Sequence, residues 1–362
     1  MGPDRRLLDL FGIELPIVQA PMAGSSDSVL AIAVAQAGGL GSLPTGLLNP
    51  EQARAQVATF RAATDKPINL NFFAHEPPML DNARQHAWRE VLKPYYVEFG
   101  IDPNAPVPSA IRAPFDEALC AIVEEVKPEV VSFHYGLPEP VLLARVKAAG
   151  CKVMSSATTL AEARWLEAQG CDAIIAQGVE AGGHRGMFLT EDLATQVGTF
   201  ALVPQIVDAV AVPVIATGGI GDARGIVAAL ALGAAAVQLG TVYLLCPEAK
   251  ISSPHRALMK AAGDNETVLT NVMTGRPARG FVNRVMREVG PISDVAPVFP
   301  LAGGALAPLA AKAQAQGSGD FSPMWAGQAA ALAREIPAGV LTLRLAAESR
   351  ELMARMAGLI AG

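Results

Sequence analysis

Cysteine is scarce and scattered. The 362-residue chain carries only Cys120, Cys151, Cys171 and Cys246, with no CxxC spacing, which excludes a zinc knuckle or a dithiol redox pair and leaves buried free thiols. Excess positive charge is missing too. With 28 Lys+Arg against 34 Asp+Glu the formal net charge is -6, so no basic face is offered to nucleic acid. Residues 1–16, MGPDRRLLDLFGIELP, lack the apolar core of a secretory signal, and the apolar run over 226–240 is too short to span a bilayer. These absences predict a cytoplasmic protein with no metal centre, no membrane and no nucleic-acid partner. A Rossmann fold is excluded because no GxGxxG follows the first strand and no acidic residue sits suitably downstream. No internal repeat or low-complexity stretch stands out.

What is present is a rhythm of short apolar runs alternating with amphipathic segments, the pattern of repeated βα units on a parallel sheet. The runs are PIVQAPM from Pro16, LGSLPT from Leu40, INLNFF from Ile68, VVSFHY from Val130, KVMSSA from Lys152, AIIAQG from Ala173, PVIATGG from Pro213 and AVQLGT from Ala236. Eight such units predict an α/β fold, a closed (β/α)8 TIM barrel. Residues 74–126, and the roughly 110 residues after the eighth strand, exceed what one crossover needs. We therefore assign 1–75 and 127–250 to the barrel. Residues 76–126 and 251–362 are read as helical additions, a small lobe over the barrel mouth, ending in a helix with Leu341, Leu345, Leu352 and Met356 at helical spacing.

Residues two apart on a strand share a face, and this sorts the polar residues. Asn69 and Asn71 share one, Ser132 and His134 share another, and Gln177 and Gln238 each end a small or apolar strand. Barrel active sites lie at C-terminal strand ends, where these amides and the imidazole converge with unmet hydrogen bonds. After Gln177 the turn VEAGGHRG presents His184 beside Gly182 and Gly183, whose bare backbone allows close approach to a ligand. The stretch ATGGIGDARG over 216–225 and QLGT over 238–241 have the form of a barrel phosphate site, with backbone N–H groups and a helix N-terminus aimed at one point. A phosphate-bearing aromatic cofactor fits this set, and flavin mononucleotide (FMN) fits best.

Taken together, QAPMAG (19–24), AGGLGSL (37–43), NLNFFAH (69–75), SFHYGLP (132–138), QGVEAGGHRG (177–186) and ATGGIGDARG resemble the nitronate monooxygenases, formerly 2-nitropropane dioxygenases. The resemblance continues through TNVMTGRPARG (270–280) and DFSPMWAGQ (320–328), covering most of the chain. It implies an FMN enzyme that oxidises an alkyl nitronate, such as propionate 3-nitronate, with O2 to a carbonyl compound and nitrite. It also implies that the Met22 main chain lies near the isoalloxazine and that Asn71 and Gln177 hydrogen-bond the flavin. Gly182, Gly219, Gln238, Leu239, Gly240 and Thr241 would hold the ring edge, ribityl chain and phosphate. His184 matches the family's active-site histidine, and His134 a second one, here given a supporting role. An imidazole can hold the nitronate anion when charged or deprotonate a nitroalkane when neutral.

Other residues are ambiguous from sequence. His75 ends the third strand beside a turn, while His86 and His255 fall in surface helices. Arg276 and Arg279 are candidates for substrate or subunit contacts, and Lys312 and Arg185 for anion partners. Where some family members have tyrosines, this chain has Phe299, Pro300, Gly303 and Gly304, which predicts a more apolar or more open entrance. Three rivals stay open: an FMN-dependent NADH:quinone oxidoreductase of the same family, a non-catalytic flavin-binding module, and an FMN-free phosphosugar isomerase. The assembly is a monomer or a homodimer.

Overall fold

Parallel strands form where the apolar runs lie, and their side chains alternate between two cores. The computed structural model describes residues 4–108 and 112–360. Its strands are β1 (Ile17–Gln19), β2 (Gly41–Pro44), β3 (Ile68–Phe73), β4 (Val130–His134), β5 (Lys152–Ala157), β6 (Ala173–Gln177), β7 (Gly183–His184), β8 (Val214–Thr217), β9 (Ala236–Leu239), β10 (Thr267–Thr270) and β11 (Ala278–Phe281). Eight of them make one sheet in the order β1-β9-β8-β6-β5-β4-β3-β2, every pairing parallel. Between β1 and β2, Leu40 N–H donates to the Ile17 carbonyl (2.9 Å) and Gln19 N–H to the Leu40 carbonyl (2.9 Å), bringing the two edges together as in a (β/α)8 barrel.

The period of two is visible in the packing. Leu70, Phe72, Val131, Phe133, Ile174, Ala176, Val237 and Leu239 point outward into the core shared with the helices. The alternate positions Val130, Met154, Ala173, Ile175, Ile215 and Ala236 fill the lumen near its N-terminal end, where Leu7, Leu8 and Phe11 of the helix Arg6–Phe11 plug it. The opposite end of the lumen is left to the polar residues.

Additions gather at that end. The helices Asn82–Glu98 and Ala302–Ala315 pack together around Trp88, Tyr96, Leu306 and Leu309. Trp88 Nε1–H donates to the Ala302 carbonyl at 3.1 Å, so the two long insertions share one satellite core. Not all of the residues assigned to the additions lie there. Leu119, Cys120 and Val123 of the helix Glu117–Val126 belong to the core around the barrel, between the helices Pro50–Ala63 and Pro140–Ala148. The terminal helix Ala338–Ile360 lies against the helices Ser28–Gln36 and Ala223–Ala231 on the outer wall, where Thr342 Oγ1 meets the Tyr243 hydroxyl at 2.8 Å. Its apolar stripe fills the space between the helices of the first and seventh βα units rather than covering the mouth. Leu341 and Leu345 are the buried members of that stripe, whereas Met356 is exposed.

A second sheet was not legible in the sequence. β10, β11 and β7 form an antiparallel three-stranded ribbon, with Ala278 opposite His184 and Arg279 opposite Gly183. The histidine turn is thereby stitched to the C-terminal segment.

Candidate active site

The strands deliver their polar ends to one pocket of about 180 Å3 at the C-terminal rim. Asn71 reaches it from β3, His134 from β4, Ser156 from β5, Gln177 from β6 and Gln238 from β9. Met22 sits on the loop after β1, Gly219 after β8, and Gly240 and Thr241 after β9; Gly182, Gly183 and His184 close one side. Of the residues expected to hold the cofactor, Leu239 alone faces elsewhere. It is 2% exposed in the helix-side core, because it lies one position from Gln238 on a strand of period two. Its carbonyl is already engaged by Ala20 N–H at 2.8 Å.

Gln177 acts first as a clasp. Its Nε2 donates to the His184 carbonyl (2.9 Å) and its Oε1 accepts from Gly186 N–H (2.7 Å), so the amide that ends β6 fixes the turn and keeps one N–H in hand. Arg185, fully buried, completes the clasp: it donates to the carbonyls of Gln177 (2.7 Å) and Gly178 (2.8 Å) and to Gln196 Oε1 (2.8 Å). Held by these bonds, without exposure and absent from the pocket wall, Arg185 is not an anion partner. Gly182 also differs from expectation. A Cβ there would lie 2.5 Å from Gly327 N and 2.6 Å from the Ala326 carbonyl carbon, so its bare backbone makes room for the 326–327 segment. Gly183, at φ +73°, is the position whose missing Cβ leaves open space.

His184 is the centre of an aromatic cage. Its ring centroid lies 5.3 Å from that of Phe299, 5.4 Å from Trp325 and 6.2 Å from Tyr135. Its Nε2 is 2.8 Å from Thr274 Oγ1, which itself has the Arg276 carbonyl as an acceptor at 3.4 Å. That chain directs the hydroxyl proton to the carbonyl and the Nε2 proton to the hydroxyl, leaving Nδ1 with a lone pair. Burial, reinforced by Arg112, His134 and Arg276, holds the imidazole well below its ordinary pKa, so it is neutral at pH 7. His134 is likewise uncharged, pushed down to about 4 by burial. Its Nε2 lies 3.2 Å from the His184 carbonyl and its Nδ1 3.2 Å from Ser156 Oγ, so it donates to the carbonyl and accepts from the serine.

The remaining expectations separate cleanly. His75 is buried beside Phe299 (4.9 Å between centroids), neither ring nitrogen has a hydrogen-bond partner, and burial pushes it down to about 4. His86 is exposed as expected, but His255 is not a surface residue. It is 4% exposed on the inner face of its helix, 6.1 Å from the Phe281 ring. Arg279 donates to the carbonyls of Val179 (3.0 Å) and Thr267 (3.3 Å), and Lys312 is exposed on the lobe, away from the pocket wall. Arg276 lies 4.4 Å from the centroid of the Tyr135 ring and donates to the Met187 carbonyl (3.2 Å). Phe299 makes this region apolar but not open, being 4% exposed against the rings of Phe73, His75, Tyr135 and His184.

Several site residues were missed, Ser156 on β5 among them. Thr274 and Trp325 lie inside motifs quoted for resemblance alone, and Tyr135 follows His134 at a strained φ of +74° with its buried hydroxyl unpartnered. Arg112, in a proline-punctuated insertion, lines the pocket without any local pattern that could have marked it.

Opposite the histidines the pocket is a backbone surface. The N–H groups of Gly219, Gly240 and Thr241 find no acceptor among the described residues, and Gln238 Oε1 is buried without a partner. Unspent donors on consecutive loops suit a phosphate, and unspent amides suit a heteroaromatic ring, so the residues fit a flavin mononucleotide.

The nitronate monooxygenase family model matches residues 4–348. The chain belongs to the nitronate monooxygenase family. A nitronate monooxygenase of Paraburkholderia phytofirmans is 44% identical over 96% of this chain and 95% of its own length, and one of Pseudomonas aeruginosa is 44% identical over 95% and 99%. A solved nitroalkane oxidase from Streptomyces ansochromogenes superposes with a TM-score of 0.88 at 38% identity, covering 97% of this chain and 99% of that one. FabK from Thermotoga maritima is a more distant structural neighbour, with a TM-score of 0.74 at 29% identity over 98% of both chains. Nitronate monooxygenases are flavin-dependent oxidoreductases, and this chain is an enzyme of that kind. No described helix is long and apolar enough to cross a membrane.

Proposed function

We propose that this member of the family oxidises alkyl nitronates, propionate 3-nitronate among them, with FMN and O2 to a carbonyl compound and nitrite. The observation that carries the reading is the pairing, across one pocket, of a neutral, half-buried His184 with a surface of unspent backbone donors. Gly219, Gly240 and Thr241 would hold the FMN phosphate, and Asn71, Gln238 and the free N–H of Gln177 the ring, with Met22 main chain alongside. Bound FMN supplies a two-electron acceptor that O2 can reoxidise.

The chain's own residues do the rest. Thr274 fixes the His184 tautomer, so that Nδ1 is the atom available to take a proton from the α-carbon of a nitroalkane. His134, donating to the His184 carbonyl, holds the turn and places its ring beside the same space. Phe299, Trp325 and Tyr135 exclude water around the imidazole, which keeps it uncharged.

Anaerobic mixing of the holoenzyme with propionate 3-nitronate or with NADH tests the reading. Bleaching of the flavin by the nitronate, with nitrite released once O2 is admitted, supports it; catalytic bleaching by NADH alone assigns the enzyme to the quinone-reductase reading instead.

A further inference from the structure

A second cavity adjoins the pocket and shares one residue with it. This groove, about 790 Å3, is walled by Leu47, Leu80, Val107, Leu119 and Leu301, and Arg112 is the residue common to both cavities. The Arg112 guanidinium lies 5.6 Å from the Phe299 ring centroid and has no carboxylate partner among the described residues. Burial lowers its pKa, the sign of a charge taken from water without compensation. The groove meets solvent beside Leu80, which is 70% exposed, next to Met79, which is 88% exposed. The lining also carries Asn49, Gln85 and Asp116, the last engaged in capping its own helix through Leu119 N–H (2.9 Å). A mainly apolar trough that meets water and borders a cation without a carboxylate partner among the described residues complements an amphiphile with an anionic head.

We propose that the groove is the tail subsite for straight-chain alkyl nitronates, and that Arg112 binds the nitronate oxygens where the two cavities meet. The reacting carbon then stays in the barrel mouth beside His184, and each further methylene lies against Leu119 and Leu301. This inference rests on the nitronate reading for the identity of the head. It makes chain length a determinant of affinity and gives the insertion carrying Arg112 a role in substrate selection.

Straight-chain carboxylates from acetate to octanoate have a planar anionic head and no oxidisable nitro group, so titrating the holoenzyme with them measures binding apart from turnover. The dissociation constant should fall about fourfold per methylene. In Ala118→Trp, which places an indole in the groove from an exposed helical position, that dependence should flatten. In Arg112→Met every chain length should bind about tenfold or more weakly, with the dependence on length retained. The proposal is overturned if affinity is flat with chain length, if Ala118→Trp leaves the slope intact, or if Arg112→Met binds as the parent does. It is also overturned if Ala118→Trp changes only the sedimentation of the protein, which would make the groove an interface between chains. The two readings fail separately: chain-length-dependent carboxylate binding without nitronate turnover removes the proposed function and keeps an anionic amphiphile site. Nitronate turnover indifferent to chain length removes the groove and keeps the function.

Discussion

A histidine in water is half charged near pH 6.5, and three in this molecule are held near 4 by burial, His75, His134 and His255, with His184 also well depressed. The unfolded chain accepts these protons first as pH falls. Their stabilising contribution is therefore complete above about pH 6.5 and is lost as pH falls toward 4, by up to roughly 3 kcal/mol per histidine. Thermal unfolding followed from pH 7.5 to 4.5 should show a steady fall in Tm; a flat profile would mean that these imidazoles are not buried uncharged. His184 itself carries the sharper expectation. His184→Asn keeps an amide near Thr274 but loses the basic nitrogen, and turnover of nitroalkane should fall about a hundredfold or more. Unchanged turnover would remove His184 from proton transfer. That His184 and His134 meet at one pocket was legible from their positions at the ends of apolar runs. The tautomer was not, because it depends on Thr274, 90 positions away in the chain.

At the scale of elements, the eight barrel strands were legible because each is a short apolar run bounded by turn residues, and a period of two then sorted Asn71, His134, Gln177 and Gln238 to one side. The ribbon of β7, β10 and β11 was not, since β7 is two residues long and its partner lies near residue 279. No local periodicity survives in so short a strand. The ribbon nonetheless sets the position of His184, and Gly182 is where it is most sensitive. Gly182→Ala drives a Cβ into the backbone of Ala326 and Gly327, neither of which can move without disturbing Gly327 N–H on Thr241 Oγ1 (2.9 Å). We expect a loss of about 1–3 kcal/mol in stability together with weakened flavin retention, read by denaturant unfolding and by flavin fluorescence on dilution. Normal stability with normal retention would show that the 326–327 segment yields freely. The terminal helix was misplaced for a related reason: its apolar stripe shows that one face is covered but not by what, and the covering surface is the barrel wall rather than the mouth.

The whole molecule is a barrel whose N-terminal end is plugged with hydrocarbon and whose C-terminal end is left polar, so chemistry is confined to one rim. The insertions, joined in a satellite core by Trp88 and Ala302, flank that rim and bring Arg112 and Phe299 to it, which no reading of either insertion alone could show. The architecture serves the proposed oxidation only if the rim carries a flavin that a nitronate can reduce without a nicotinamide. The most direct measurement is the absorbance of the bound cofactor during an anaerobic titration with propionate 3-nitronate, with NADH as the parallel arm. Our account predicts bleaching by the nitronate and none at a catalytic rate by NADH. Bleaching by NADH alone, or a protein that purifies colourless and takes up no FMN, would contradict it.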